Sequence, residues 1–135
     1  MRGIMGDNDV QGHFTRLLRI FLSPTWRELW ERLHLAVETF ETLGLEHLAP
    51  DVLVWETCQA RQVVLVTGNR NDEGPDSLEA TIRSRNTPDS LPVLTIASPK
   101  VFMKSRSYAE RVAEKILECL LEIDTRRGAG RIWVP

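Results

Sequence analysis

Hydrophobic residues recur along the chain at two spacings, and these spacings predict alternating helices and strands. Apolar positions three to four residues apart, the period of one helix face, mark the segments 10–21, 24–33, 77–85 and 107–123. Alternating or continuous apolar runs mark strands at 3–5, 35–40, 63–67 and 91–97. The segment 52–60 opens with β-branched residues as a strand would, but Asp51 stands where a helix N-cap belongs, so we expect a helix.

Two serines are expected to begin helices. Ser23 precedes Pro24, and this pair suits a helix start because Ser is favoured at the N-cap and Pro loses no hydrogen bond at the first helical position. Ser77 follows the polar, turn-rich segment 68–76 and is expected to cap the next helix.

The strand predicted at 63–67 is apolar on both faces, which is typical of a central parallel strand covered by helices. Together with the alternation of helices and strands, it predicts a three-layer α/β/α sandwich with a mainly parallel sheet. The length of 135 residues suits a single domain, 1–135. The last residues, about 124–135, form a short tail that is expected to add an edge strand or to dock a partner.

Composition excludes several classes of protein. With 42% hydrophobic and 27% charged residues, the chain has ordinary globular composition rather than that of a disordered protein. No apolar run approaches the roughly 20 residues that cross a bilayer, so no membrane association is expected. The acidic turn at Asp7 and Asp9 interrupts any secretory signal, which favours a cytoplasmic location. Cys58 and Cys119 lack zinc-site spacing and are expected to be buried as small hydrophobic residues.

Charge gives a weaker indication of function. The formal net charge of −2 argues against binding nucleic acid through bulk charge alone. Most of the 17 basic residues are arginines, whose planar guanidinium groups suit bidentate contacts with phosphate. A solvated protein surface would explain the same arginines without any ligand.

The most informative polar residues follow predicted strands or begin a helix. In an open α/β sheet, ligands bind beyond the carboxyl ends of the strands, so these residues should lie at one edge. No glycine-rich phosphate loop is present, whereas carboxylate and amide oxygens are hard ligands suited to Mg²⁺ or Mn²⁺. The candidates are Asp7 and Asp9 after the first strand, Asp51 at a helix start, and Asn69, Arg70, Asn71 and Asp72 after the strand 63–67.

The order of Asp7, Asp51 and the segment Val-Leu-Val-Thr-Gly-Asn-Arg-Asn at 64–71 resembles the PIN-like domains, especially the small single-domain proteins of bacteria. The resemblance spans most of the chain. It implies a metal-dependent ribonuclease in which acids at the carboxyl edge of the sheet hold Mg²⁺ or Mn²⁺ for phosphodiester hydrolysis. It also brings toxin–antitoxin function into consideration, with an antitoxin as a protein partner.

The resemblance implies specific roles for individual residues. Asp7 matches the first metal acid of the family and Asp51 the second, although helix capping alone would also explain Asp51. Asn69 or Asn71 stands where the family usually has an aspartate, so affinity for the ion should fall unless Asp9 or Asp72 supplies the missing carboxylate.

The remaining loop residues have simpler alternatives. Arg70 would clamp the scissile phosphate if it lay beside the site, and Asn71 would contact the substrate with it. An exposed arginine is more often a solvated charge, and Asn71 and Asp72 are common turn residues. His13, His34 and His47 have no ligand-pair spacing and are given no role.

Three functions therefore compete at the level of the sequence. The first is a metal-dependent nuclease, for which Asp9 beside Asp7 keeps enough acids in place. The second is a non-catalytic PIN-like module that binds RNA or a protein partner, which Asn69 favours because an amide carries no charge. The third is an assembly subunit that forms a homo-oligomer or complex through Trp133 and the pair Arg126-Arg127.

Overall fold

The computed structural model describes residues 1–135 and contains one five-stranded sheet in which every strand pair is parallel. The strand order is β2-β1-β3-β4-β5. The strands are β1 (Gly3–Gly6), β2 (Ala36–Glu38), β3 (Val63–Thr67), β4 (Val93–Ile96) and β5 (Arg131–Val134). The chain moves outward from β1 in one direction to β2 and in the other to β3, so the topological switch point lies between β1 and β3.

Helices connect the strands and cover both faces of the sheet. They are α1 (Gln11–Phe21), α2 (Arg27–Arg32), α3 (Asp51–Arg61), α4 (Leu78–Arg85), α5 (Pro99–Lys104), α6 (Arg106–Leu121) and α7 (Ile123–Arg126). A single turn of 3-10 helix, Asn8–Val10, joins β1 to α1. The predicted three-layer α/β/α class with a parallel sheet is confirmed. None of the helices has the length and apolar character needed to span a bilayer.

Two hydrophobic cores lie on opposite faces of the sheet. Alternate residues of β3 point into different cores: Val64 and Val66 pack with α1, α5 and α6, whereas Val63 and Leu65 pack with α3 and α4. Every residue of β3 is buried, as expected for a strand covered by helices on both sides. Cys119 lies in the first core and Cys58 in the second, so the prediction that both cysteines are buried is confirmed.

Of the two serines predicted to begin helices, Ser77 does so and Ser23 does not. Ser23 does not begin the second helix: its hydroxyl donates to Ile20 O at 2.6 Å instead of capping, and its carbonyl accepts from Trp26 and Arg27 in a turn that precedes the helix. The second helix therefore starts only at Arg27. Ser77 does cap α4, since its hydroxyl accepts a hydrogen bond from the N–H of Ala80.

The other differences concern the second half of the chain and the edges of the sheet. The short helix α5 was not predicted, because six residues are too few to show a helical repeat. The last long helix begins at Arg106, capped by Ser105, and ends at Leu121 rather than Ile123. The strand predicted at 35–40 is limited to Ala36–Glu38, which pairs along one side only. The tail forms the edge strand β5, which confirms the expectation of an edge strand.

Close packing of α1 against β1 fixes the position of the residues that follow β1. A Cβ atom on Gly6 would lie 2.6 Å from Cγ of Phe14, so only glycine allows the helix to approach the strand this closely. The backbone of Asp7 then continues along β3, because its N–H donates to Val66 O at 2.8 Å. The residues that follow β1 are thereby held beside the end of β3.

Candidate functional site

An open pocket of about 440 Å³ lies at the carboxyl edge of the sheet, at the switch point between β1 and β3. Ligands of open α/β sheets bind at this position. The structure brings together here four of the residues singled out in the sequence and adds others that were not. The pocket is lined by Asp7, Asn8, Asp9, His47, Leu48, Ala49, Asp51 and Asn69.

Asp7 is the most deeply buried acid of the pocket, with 8% of its surface exposed. Its Oδ2 accepts a hydrogen bond from the hydroxyl of Thr67 at 2.8 Å, and its Oδ1 accepts from the N–H of Asn8 at 2.8 Å. The second bond caps the 3-10 turn that follows β1. Asp7 is therefore held rigidly, one carboxylate oxygen by each neighbouring strand end.

Asp9 lies beside Asp7 and faces the end of β3. Its Oδ2 accepts from the N–H of Gly68 at 3.1 Å, and its Oδ1 lies 3.3 Å from the Thr67 hydroxyl. Thr67 thus contacts both carboxylates through one oxygen, which also accepts from the N–H of Asn69 at 3.0 Å. A single buried hydroxyl organises the two acids and the loop that follows them.

Asp51 and Asn69 face each other across the pocket. Asp51 is the first residue of α3, not its N-cap; Pro50 occupies the cap position and provides no side-chain bond. Capping therefore does not explain the Asp51 carboxylate, whose Oδ2 instead accepts from Nδ2 of Asn69 at 3.1 Å. The Asn69 Oδ1 accepts from the N–H of Asn71 at 2.8 Å. The amide oxygen expected to serve as a metal ligand is thus engaged with the backbone.

Electrostatics sets this pocket apart from the rest of the surface. Burial raises the pKa of Asp7, with further increases from the charges of Asp9 and Asp51, and these outweigh the lowering by its hydrogen bonds. Burial also raises the pKa of Asp9, against the lowering by hydrogen bonds from Gly68 and Thr67. None of the three acids forms a salt bridge with an arginine or lysine. No arginine or lysine neutralises their negative charge, and the charge of His13 acts against it only by lowering the pKa of Asp9.

The chemistry of these donors suits a hard cation, although they are not gathered as a closed ligand set. Nowhere in the chain do three or more His, Cys, Asp or Glu side chains come close enough to form a ready metal site. Mg²⁺ is commonly bound by one or two carboxylates with several waters, so the neighbouring oxygens of Asp7 and Asp9 fit that mode. Asp51 would then face the ion from the opposite side of the pocket. Asn69 would offer its oxygen as a ligand only if its side-chain amide rotated to exchange Oδ1 and Nδ2.

Arg70 and Asn71 lie outside the pocket. The Arg70 guanidinium donates to Ala97 O at 2.6 Å and stacks 5.5 Å above the ring of Trp133. Asn71 is exposed, and its Oδ1 accepts from the N–H of Glu73, which builds a turn. Both side chains have partners within the protein in the structure. Their expected contacts with a substrate stay predictions.

Arg131 holds the loop after β3 in place through a hydrogen bond to Asn69 O, a role that the sequence does not predict. Its guanidinium, 7% exposed, donates to Asn69 O at 2.8 Å, to the Thr95 hydroxyl at 2.6 Å, and to Glu79 in an ion pair. Strand β5 thereby joins the end of β4, the start of α4 and the loop carrying Asn69. No local sequence signal marks Arg131, because its partners lie 36 to 62 residues away.

Three residues of the site were missed by sequence reasoning: Asn8 and His47 line the pocket, and Thr67 bonds to its acids. Thr67 ends a strand whose apolar character suggested only packing, and Asn8 stands between the two acids that drew attention. His47 was given no role, yet it lines the pocket, and its carbonyl accepts a hydrogen bond from the Asn8 side chain. Only the position of Asn8 could have been a signal, since every residue of the turn 7–9 faces the same edge.

The tail residues considered for assembly are engaged within the chain. Arg126 pairs with Glu118 and Glu122, and Arg127 bonds to Asp124 and Gln62. Trp133 is 45% exposed and lies between the guanidinium groups of Arg70 and Arg131. Arg126 and Arg127 therefore have structural partners already. Of the three tail residues, Trp133 is the one that presents apolar surface.

Comparison with known proteins adds no relative: no protein-family model, curated protein or solved structure matches the chain. The PIN-like resemblance therefore rests on the residues quoted above and on no wider alignment.

Proposed function

We propose that this chain is a metal-dependent nuclease that hydrolyses phosphodiester bonds of RNA in the pocket at the β1–β3 switch point. The observation that carries the proposal is the presence of Asp7, Asp9 and Asp51 in one open pocket, none of them in a salt bridge with an arginine or lysine. Acids placed in this way repel one another, and a divalent cation would relieve the repulsion. An RNA substrate suits the cytoplasmic location expected from the sequence.

Each acid has a distinct proposed part. Asp7 is held by two hydrogen bonds and would be the principal ligand of Mg²⁺ or Mn²⁺, with Asp9 beside it and Asp51 opposite. The bound ion would neutralise charge on the phosphate and orient the attacking water. Asp9 lies beside Asp7 at the end of β3, where its carboxylate would accept the proton that the water loses. Asn69 positions Asp51 by donating to Oδ2.

The direct test is cleavage of a single-stranded RNA by wild-type protein and by Asp7→Asn in the presence of Mn²⁺. Loss of the principal charge-stabilising group should reduce cleavage by about 10²-fold or more. Asp76→Asn is a matched control, because Asp76 is exposed in the loop before α4 and lies outside the pocket. Equal cleavage by wild type and Asp7→Asn, or cleavage unaffected by excess EDTA, would assign the activity to a contaminant or another site.

One observation favours a second function, a non-catalytic module that binds RNA or a protein partner. The amide of Asn69 donates to Asp51 at the place where the resemblance implies an acid, so the pocket is partly satisfied without an ion. This function expects no cleavage by the wild type, and RNA binding that survives Asp7→Asn. The same pair of proteins, assayed for both cleavage and binding, separates the two proposals.

A further inference from the structure

A second concave surface lies along α1, on the side of the helix that faces α5 and the start of α6. It encloses about 310 Å³ and is lined by Gly12, Arg16, Arg19, Ile20, Met103 and Arg106, which we call the arginine groove. The four members from α1 are spaced i, i+4, i+7 and i+8, so they form one stripe along that helix. From Gly12 to Arg19 this stripe extends about 10 Å.

The arginine groove is positively charged in a protein of net charge −2. No acidic residue occurs in the chain between residues 10 and 27 or between residues 90 and 109, the segments that carry α1, α5 and the start of α6. Arg106 pairs with Glu110 at 3.0 Å, but Arg19 is exposed and forms no ion pair. Lys100 and Lys104 add exposed positive charge on α5. This concentration of unneutralised cations fits an anionic ligand.

The arginines are partly preorganised. Arg16 donates to Phe102 O and Met103 O, both at 2.9 Å, and its guanidinium lies 5.8 Å from the centre of the Phe102 ring. Its charge is therefore fixed at the C-terminal end of α5 and contributes to the floor of the groove. Arg19, one turn along α1, keeps its guanidinium free for a bidentate contact with phosphate.

Gly12 is unexplained by the protein's own packing. Its backbone is helical, and a Cβ atom at this position would meet no atom of the chain within 4 Å. Alanine would form a better helix there, so neither backbone conformation nor space requires glycine. A glycine at the mouth of a groove leaves room for the close approach of a ligand. The arginine groove thus combines positive charge with an absent side chain at its entrance.

The Gly12 end of the groove is the end nearer to the acidic pocket in the chain. Gly12 follows Asp9 by one helical turn, and His13, next to it, lies with Nε2 3.0 Å from Pro99 O at the start of α5. We infer that the arginine groove binds the phosphate backbone of single-stranded RNA and leads the strand to the acidic pocket. This inference rests on the proposed function, because it assigns to that function's substrate a path across the surface.

The test is binding of a fluorescently labelled single-stranded RNA, followed by anisotropy in EDTA so that no divalent ion contributes. Arg19→Gln and Gly12→Leu should each weaken binding by about fivefold, since each disturbs one phosphate position. Arg19→Gln should also reduce the slope of log K against log salt concentration by about 0.7. Arg83→Gln is the matched control, because Arg83 is an exposed arginine of α4 on the opposite face of the sheet.

The outcomes separate this inference from the proposed function. Equal RNA affinity for wild type, Arg19→Gln and Gly12→Leu overturns the inference, even where Asp7→Asn abolishes cleavage. Weaker binding by the two groove variants supports it, even where no variant cleaves RNA. Unchanged RNA binding combined with weaker binding of Arg19→Gln to an acidic peptide or to vesicles containing phosphatidylserine also overturns it. Thermal unfolding of both groove variants should match or exceed the wild type, which excludes loss of folding as the cause.

Discussion

The hydroxyl of Thr67 donates to Oδ2 of Asp7 at 2.8 Å and thereby joins the carboxyl ends of β3 and β1. Both residues are buried, so the bond lies in a region of low dielectric where it has a large effect on the neighbouring carboxylate. Thr67 also reaches Asp9 and accepts from the backbone of Asn69. The geometry of the acidic pocket therefore depends on this one side chain.

Thr67→Val should destabilise the protein by about 1–3 kcal/mol at pH 7, because Asp7 loses one of its two hydrogen bonds while remaining buried. The loss should become smaller at acidic pH, where the protonated carboxyl group needs the bond less. Urea unfolding at several pH values measures both effects. Thr81→Val, which removes a hydroxyl bonded to the Ser77 carbonyl, should give a loss that does not change with pH in this range.

Asp7→Asn should increase stability at pH 7 by about 0.5–2 kcal/mol, the range of single stabilising substitutions, because it removes a buried negative charge. The pKa of Asp7 is raised in the folded protein by burial and by the charges of Asp9 and Asp51, above the ordinary value of 3.8. Its contribution to stability is therefore present below that value and is lost as pH rises through the folded pKa. The variant should lack this loss. A variant less stable than wild type at pH 7 would contradict the prediction.

Asn69→Asp should increase affinity for Mn²⁺ by about tenfold or more, the scale of changes in groups that surround a metal site. Without metal the variant should be less stable than wild type, because the donor to Asp51 becomes a fourth negative charge. Thermal unfolding across a series of MnCl₂ concentrations measures both, since a ligand stabilises by RT ln(1 + [L]/Kd). If neither wild type nor Asn69→Asp responds to Mn²⁺, the metal proposal is wrong.

Arg131→Met should destabilise the protein by about 3–5 kcal/mol, because it leaves Glu79 without its buried partner. It also removes the bond to Asn69 O, so any cleavage activity should fall with it. Arg83→Gln is a close control, since Arg83 pairs with the same Glu79 at 3.7 Å but is 73% exposed. That variant should cost less than about 1 kcal/mol. Similar losses of unfolding free energy for the two variants would contradict a larger contribution from the Arg131–Glu79 pair.

The class of the fold follows from the hydrophobic pattern of the chain alone. The strand at Val63–Thr67 could be recognised because apolar residues at consecutive positions suit a strand buried on both faces, and helices on either side then require parallel pairing. Asp7, which follows a strand, and Asp51, which begins a helix leading into the next strand, could be placed at the carboxyl edge of the sheet from the same alternation. Short elements such as α5 were beyond this reasoning, because they are stabilised by packing of Phe102 rather than by a repeat.

The contacts of the candidate residues depend instead on how distant parts of the chain pack together. Asn69 turns its amide toward Asp51, Arg70 turns away to Ala97 and Trp133, and Thr67 bridges two acids. These contacts join residues 18 to 63 positions apart, so their geometry arises from the register of the strands and the placement of α3. Local patterns determine which residues reach the edge of the sheet, whereas long-range packing determines which atoms they present there.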